Sequence, residues 1–101
     1  MEKKVFEEIK KSIVEKVLDQ VRRAENLLKI LSNDDLNEEG LIEALRAGKE
    51  LTDEIKSVEF DYSGLSITQQ YLIRFRLRNK ASVIDDFMSI DFDKILGEIN
   101  P

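Results

Sequence analysis

The N-terminal third of the chain repeats apolar residues with the period of an α-helix. The apolar positions within residues 2–31 include Phe6, Ile9, Ile13, Val17, Val21, Ala24, Leu28 and Leu31. This spacing places the apolar side chains in one continuous stripe along a helix. At 1.5 Å per residue, that helix is about 45 Å long, which predicts an elongated domain rather than a sphere.

A turn and a second helix are predicted next. Residues 32–37 have the sequence SNDDLN, and Ser, Asn and Asp favour turns and helix caps. Asn37 is the predicted N-cap of a helix over residues 38–57. Small residues within it would let another backbone approach closely; they are Ala44, Ala47 and Gly48. A glycine inside a helix costs up to about 1 kcal/mol relative to alanine, so we expect another group to use the space beside it.

The last third of the chain predicts two further helices. Residues 60–66 form a predicted loop centred on Ser63 and Gly64. The sequence SITQ at residues 66–69 fits a capping box, in which the serine caps the helix and the glutamine reaches back. A third helix would begin there and continue to about residue 90. A short final helix over residues 91–99 has Asp91 as its predicted N-cap.

The sequence YLIRFRLR at residues 71–78 leaves a second interpretation open. Its apolar and charged residues alternate, as does KSVEFDY at residues 56–62, so a β-hairpin over residues 57–78 is the alternative. A helix is favoured because Gln, Leu, Arg, Lys and Ala are strong helix formers. On a helix, one buried stripe would contain Ile73, Leu77, Ile84, Phe87 and Met88, and a second buried side Leu72, Phe75 and Val83.

The predicted fold is therefore all-α, with a single domain over residues 1–101. It is an elongated three-helix bundle with a long N-terminal helix and a short fourth helix at the C-terminus. The first helix has more apolar stripe than the shorter second helix can cover. The third helix, a second copy of the chain or another protein would cover the surplus.

Composition narrows the possible functions. The chain has no cysteine and no histidine, which removes disulfides, thiolate chemistry and the commonest general base near neutral pH. A net charge of −5 disfavours non-specific binding to nucleic acid. No stretch is long and apolar enough to span a membrane, and the N-terminus lacks the apolar core of a secretory signal. The expected location is cytoplasmic, or nuclear in a eukaryote.

One cluster of cations interrupts this acidic chain, and it consists of Arg74, Arg76, Arg78 and Lys80. Three hypotheses account for it. The cations could solvate the edges of a buried helix and pair with acids such as Asp85 and Asp86. They could bind an acidic partner protein, to which arginine offers bidentate contacts with carboxylates. They could also bind phosphate, although a helix would scatter them around its circumference.

Catalytic and metal-binding motifs are not found in the sequence. The acidic pairs Asp34–Asp35 and Asp85–Asp86 occupy consecutive positions, which diverge by about 100° on a helix and rarely share a ligand. The sequence DFD at residues 91–93 lacks the glycine and the glutamate of a calcium loop. We therefore expect no enzyme activity, no cofactor and no metal.

Two segments resemble the helical domain of GINS replication-complex subunits. These are NEEGLIEALRAGKEL at residues 37–51 and LRNKASV at residues 77–83, and Arg78, Asn79 and Lys80 match the R-N-K/R motif of that family. The resemblance implies a non-catalytic scaffold that joins a replicative helicase to its partners.

The predicted function is a non-catalytic protein-interaction module, a scaffold or adaptor subunit of a homo- or hetero-oligomer. The GINS-like scaffold is one alternative. A small acidic inhibitor or antitoxin that blocks a basic site on its target is another. Neither nucleic acid nor a membrane is an expected partner. The predicted partner-binding residues are Arg74, Arg76, Arg78 and Lys80 on the third helix, and Phe6, Ile9, Ile13 and Val17 on the first.

Overall fold

The structure, a computed structural model, describes residues 3–58, 60, 62 and 64–99, and in them it contains four α-helices. These are α1 (Lys3–Leu31), α2 (Glu38–Ser57), α3 (Ile67–Met88) and α4 (Phe92–Ile99). The predicted all-α fold is confirmed, and the alternative β-hairpin is wrong because residues 67–78 are helical. The predicted start of the first helix at Glu2 and the loop centre at Ser63 lie outside the described residues.

The predicted helix caps are present. The Asn37 side chain accepts a hydrogen bond of 2.7 Å from the Gly40 backbone N–H. Ser66 Oγ accepts from the Gln69 backbone N–H at 3.1 Å, and Gln69 Oε1 accepts from the Ser66 N–H at 3.0 Å, which completes the capping box. Asp91 Oδ1 accepts from the Lys94 N–H at 3.0 Å. Each cap satisfies backbone donors that the first turn of a helix leaves without a partner.

Helix α1 is the axis of the bundle, and it packs against both α2 and α3. Helix α2 returns along the C-terminal half of α1, and Arg23 of α1 forms an ion pair of 2.6 Å with Glu54 of α2. Helix α3 follows α1 along its length, and α4 packs on α2. The resulting body measures 53 × 23 × 17 Å, which confirms the predicted elongated shape.

The core divides into two clusters, which define two ends of the molecule. At the four-helix end, all four helices enclose the buried residues Ala24, Leu45, Leu51, Phe87 and Phe92. At the two-helix end, the first half of α1 and the first half of α3 enclose Phe6, Ile13, Leu65 and Ile73, with Phe60 and Tyr62 packed against them. Gly64, with φ of 80°, precedes Leu65 in a left-handed conformation that favours glycine.

The close approach expected at Gly48 is made by a side chain. The Phe92 ring of α4 lies so near that a Cβ built on Gly48 would be 2.5 Å from the Phe92 Cε1 atom. Phe92 also stacks at a tilt on Phe87, with ring centroids 5.2 Å apart. The missing Cβ of Gly48 therefore allows α4 to pack on α2 and to close the four-helix end.

Candidate partner-binding surface

The first half of α3 exposes four large apolar side chains. The exposed fractions are 72% for Ile67, 62% for Phe75, 51% for Leu72 and 50% for Tyr71. Consecutive helical residues are rotated by about 100°, so Ile67, Tyr71 and Phe75 form one row along the helix and Leu72 lies beside it. The Tyr71 and Phe75 rings are 6.3 Å apart between centroids. We call these four residues the α3 outer face.

The exposure of this face corrects a sequence prediction. Leu72, Phe75 and Val83 were expected to form a second buried side of the third helix. Val83 is half-buried against the four-helix core, but Leu72 and Phe75 face solvent. The physical reason is coverage: α2 and α4 pack at the other end of the molecule, so α1 is the helix that covers this half of α3.

Three arginines border the α3 outer face. Arg74 and Arg78 lie on one side of the apolar row and Arg76 on the other, and all three are exposed. Lys80 points toward the opposite side of the helix and is half-buried. The Arg74 guanidinium lies over the Tyr71 ring, 5.4 Å from its centroid, which is a cation–π distance.

These cations do not pair as the solvation hypothesis expected. Among the described residues, Arg74, Arg76, Arg78 and Lys80 form no ion pair, and the expected partners Asp85 and Asp86 are exposed without one. Residues 67–84 contain these four cations and no acid, in a chain with a net charge of −5. This stretch of α3 is therefore a local positive surface around an apolar centre.

The four predicted partner-binding residues of α1 lie in the core instead. Phe6 and Ile13 are each 6% exposed, and Ile9 and Val17 are half-buried against the same cluster. Their neighbours come from α3 and from the segment before it, chiefly Ile73 and Leu65. The apolar surplus of α1 is thus covered by the third helix, the first of the three possibilities that the sequence left open. In this conformation Phe6 and Ile13 offer no surface to a partner, and Ile9 and Val17 are only partly accessible.

Next to the α3 outer face, a groove of about 330 Å³ opens between α1, the end of α2 and α3. It is lined mainly by apolar side chains, including Val17, Ile55 and Leu77, with Arg74 and Asp85 among its polar residues. Arg74 therefore borders both this groove and the α3 outer face.

At the opposite end of the molecule, charge links α2 to α4. Lys49 Nζ lies 2.9 Å from Asp93 Oδ1. The hydrogen bond to Asp93 and the charge of that carboxylate raise the pKa of Lys49. Both side chains face solvent, so the pair is a structural link between helices and lacks the burial expected of a reactive lysine.

The acidic pairs that the sequence offered as candidate metal ligands lie in the described part of the chain. Asp34, Asp35, Asp85 and Asp86 are all exposed, and the residues that the structure describes hold no group of three acids arranged to bind a metal ion. No described helix combines the length and the apolar content needed to cross a bilayer. The exposed acids of α2 are Glu38, Glu39, Glu43, Glu50 and Asp53.

Sequence reasoning identified the arginines but missed Ile67 and Tyr71 as surface residues. A signal was present: residues 71–77 contain apolar side chains at Tyr71, Leu72, Ile73, Phe75 and Leu77, more than one helical stripe can bury.

In the GINS-like motif, Arg78 and Asn79 are exposed and Lys80 is half-buried. Comparison with protein-family models, with curated proteins and with solved structures found no match to this chain, so the GINS-like resemblance stays a prediction.

Proposed function

We propose that the chain is a non-catalytic protein-interaction module and that the α3 outer face is its binding surface. The observation that supports the proposal is the row of four large apolar side chains, each at least half exposed. Single exposed apolar residues are ordinary, but a contiguous group of this kind with a polar rim is typical of a protein-binding site.

The chemistry of the surface favours binding to a protein. Tyrosine and arginine are enriched among the residues that dominate binding energy at interfaces, and here Tyr71 and Arg74 are already stacked on each other. Aromatic side chains have few rotatable bonds, so they lose little conformational entropy when a partner covers them. The rim arginines add charge-assisted hydrogen bonds to acids of a partner.

The non-catalytic part of the proposal follows from composition. The whole chain lacks His and Cys, and residues 67–84 contain no carboxylate. The chain therefore lacks the two commonest groups of general-base and nucleophilic catalysis near neutral pH, and this stretch of α3 supplies no carboxylate of its own. Lys49, whose pKa is raised, is a charged partner of Asp93 at the other end of the molecule.

Site-specific photo-crosslinking in the cells of origin tests the proposal. A photoreactive phenylalanine analogue replaces Phe75 in one variant and Glu43 in a matched control. Both positions are exposed and lie within helices, so neither substitution disturbs the core. We expect a discrete crosslinked product at position 75 that disappears when Leu72→Glu is added, because the second change removes part of the same apolar surface.

The control position also tests the acidic-inhibitor alternative. Glu43 lies on α2 among the exposed acids that such an inhibitor would present to a basic target. A product at position 43 and none at position 75 would support the inhibitor and contradict the proposed function. The same photoreactive residue can be placed at positions 67, 71 and 72. The absence of a crosslinked product at all four positions, 67, 71, 72 and 75, would also contradict the proposed function.

A further inference from the structure

We infer that the partner of the α3 outer face is an amphipathic helix of a different protein, with acidic residues on both sides of its apolar stripe. This inference rests on the proposed function and names the chemistry of its partner. Two features of the described residues lead to it, the shape of the apolar row and the position of the arginines, and the same arginines argue against a second copy of the chain.

The shape of the row favours a helical partner. From Ile67 to Phe75 the row rises about 12 Å, at 1.5 Å per residue, and consists of residues four positions apart. Rows of this kind are the ridges that fit between the side chains of a second helix. Beyond its first turn, α3 has its backbone donors and acceptors engaged within the helix, so it offers no edge to which an extended strand could add.

The position of the arginines favours acids on both sides of the partner helix. Arg74 and Arg78 border one side of the row and Arg76 the other, and none forms an ion pair among the described residues. A helix laid on the row would bring its own flanking residues next to these guanidinium groups. Glutamate or aspartate at those positions would form charge-assisted pairs with the arginines. Lysine or arginine at the same positions would be repelled by them.

A second copy of the chain does not match this surface. In a two-fold dimer the same face meets itself, so arginines would oppose arginines across the apolar row. If the α3 outer face bound the acidic side of α2 in another copy, the contact would join different surfaces. Such contacts produce open chains of molecules unless the rotation closes a ring. A separate acidic protein avoids both consequences.

Two designed peptides test the inference with purified protein. Both fold as short amphipathic helices with the same leucine stripe; one has glutamates on both sides of the stripe and the other has lysines. Fluorescence anisotropy measures each affinity at low and high salt. We expect the glutamate peptide to bind about tenfold or more tightly, and the difference to shrink as salt screens the rim charges.

Two variants locate the binding. The triple change Arg74→Glu, Arg76→Glu, Arg78→Glu affects exposed side chains only, and we expect it to reverse the preference toward the lysine peptide. Phe75→Ser removes an exposed apolar side chain, and we expect it to weaken both peptides about tenfold. Circular dichroism of each variant confirms that the helices are retained.

The outcomes separate the two proposals. Equal affinity for both peptides, lost in Phe75→Ser, would overturn the acidic partner but leave the α3 outer face as a docking surface. Binding that Phe75→Ser does not change, or no binding of either peptide, would overturn this inference. A dimer detected by sedimentation and abolished by Phe75→Ser would identify a second copy as the occupant and overturn it. Phe75-dependent binding to vesicles of anionic lipid that is tighter than the binding to either peptide would identify a membrane surface as the occupant and overturn the inference.

Discussion

The two ends of this molecule use the same helices in different surroundings. At the four-helix end, α1, α2, α3 and α4 converge, and Phe87 of α3 is fully buried between them. At the two-helix end, α3 is covered by α1 along one side, and Phe75 is 62% exposed. The two phenylalanines are twelve residues apart on one helix. Ile73, also at the two-helix end, is buried because it faces α1, so the number of covering elements decides how many sides of α3 are buried at each end.

The difference also explains where each end obtains its stability. The four-helix end buries aromatic rings on a close helix contact, where Phe92 occupies the space beside Gly48. The two-helix end depends on fewer buried side chains and on the capping box that begins α3. We therefore expect core substitutions at the four-helix end to affect folding, and substitutions on the α3 outer face to affect binding.

The largest expected effect comes from Phe87→Ala. Removing a fully buried ring leaves a cavity, and phenylalanine-to-alanine changes in cores cost about 3–5 kcal/mol of unfolding free energy. Phe75→Ala on the same helix is the matched control and should change stability by less than about 0.5 kcal/mol. Urea unfolding of both variants measures the difference. Similar losses in the two variants would mean that Phe75 is buried in solution, for example by self-association.

Gly48→Ala should give the next largest effect. The added Cβ would lie 2.5 Å from the buried Phe92 ring, and overpacking of this kind costs about 1–3 kcal/mol. The helix propensity of alanine recovers up to about 1 kcal/mol. Gly97→Ala is the control, since a Cβ there meets nothing within 4 Å and the change should be stabilising.

A second substitution sharpens the Gly48 experiment. Phe92→Leu in the Gly48→Ala background makes room for the new methyl group, so the two changes should be less costly together than the sum of their separate effects. Thermal unfolding of the four proteins in this cycle measures the coupling. Strictly additive effects would show that α4 does not pack on Gly48.

Ser66→Ala tests the two-helix end with a smaller change. Loss of a serine N-cap costs about 1 kcal/mol, and the N-terminal turn of α3 should show faster amide hydrogen exchange. Asn37→Ala removes the corresponding cap of α2 and should cost a similar amount. Equal increases of amide hydrogen exchange in α3 in both variants would mean that the two ends unfold as one unit. The two ends would then not differ in local stability.

The smallest effect concerns the pH dependence of the Lys49–Asp93 pair. The pKa of Lys49 is raised in the folded state by its hydrogen bond to Asp93 and by the charge of that carboxylate. The pair therefore stabilises the fold at neutral pH, and this stabilisation is lost as pH rises through the raised pKa of Lys49. The melting temperature of the wild type should fall toward that of Asp93→Asn at strongly alkaline pH. A constant difference between the two proteins would contradict the pairing.

Much of the fold could be predicted from local sequence. The helix over residues 38–57 and its cap at Asn37 were predicted at the bounds that the structure has, and Ser66 and Asp91 cap α3 and α4 as expected. These features depend on side chains that act within one turn of their own backbone. The third helix was predicted to continue to about residue 90, and in the structure it ends at Met88, with Ser89 as its C-cap.

The candidate site could be predicted only in part. The arginines were found because a cluster of cations in an acidic chain is visible without a structure. The sequence predicts a partner surface for the α1 stripe, because a periodic pattern shows which face is apolar but does not show what covers it. For the same reason the sequence predicts a buried side for Leu72 and Phe75, which the structure places in solvent.

The sequence by itself determined that this chain forms capped amphipathic helices, and that the longest of them needs covering along its length, because periodicity and caps are local properties. Only the tertiary structure decided which helix covers which. It placed α3 along α1, α4 on α2 through Gly48, and the α3 outer face in solvent. Burial depends on side chains distant in sequence that meet in space, and a one-dimensional pattern contains no record of which of them will meet.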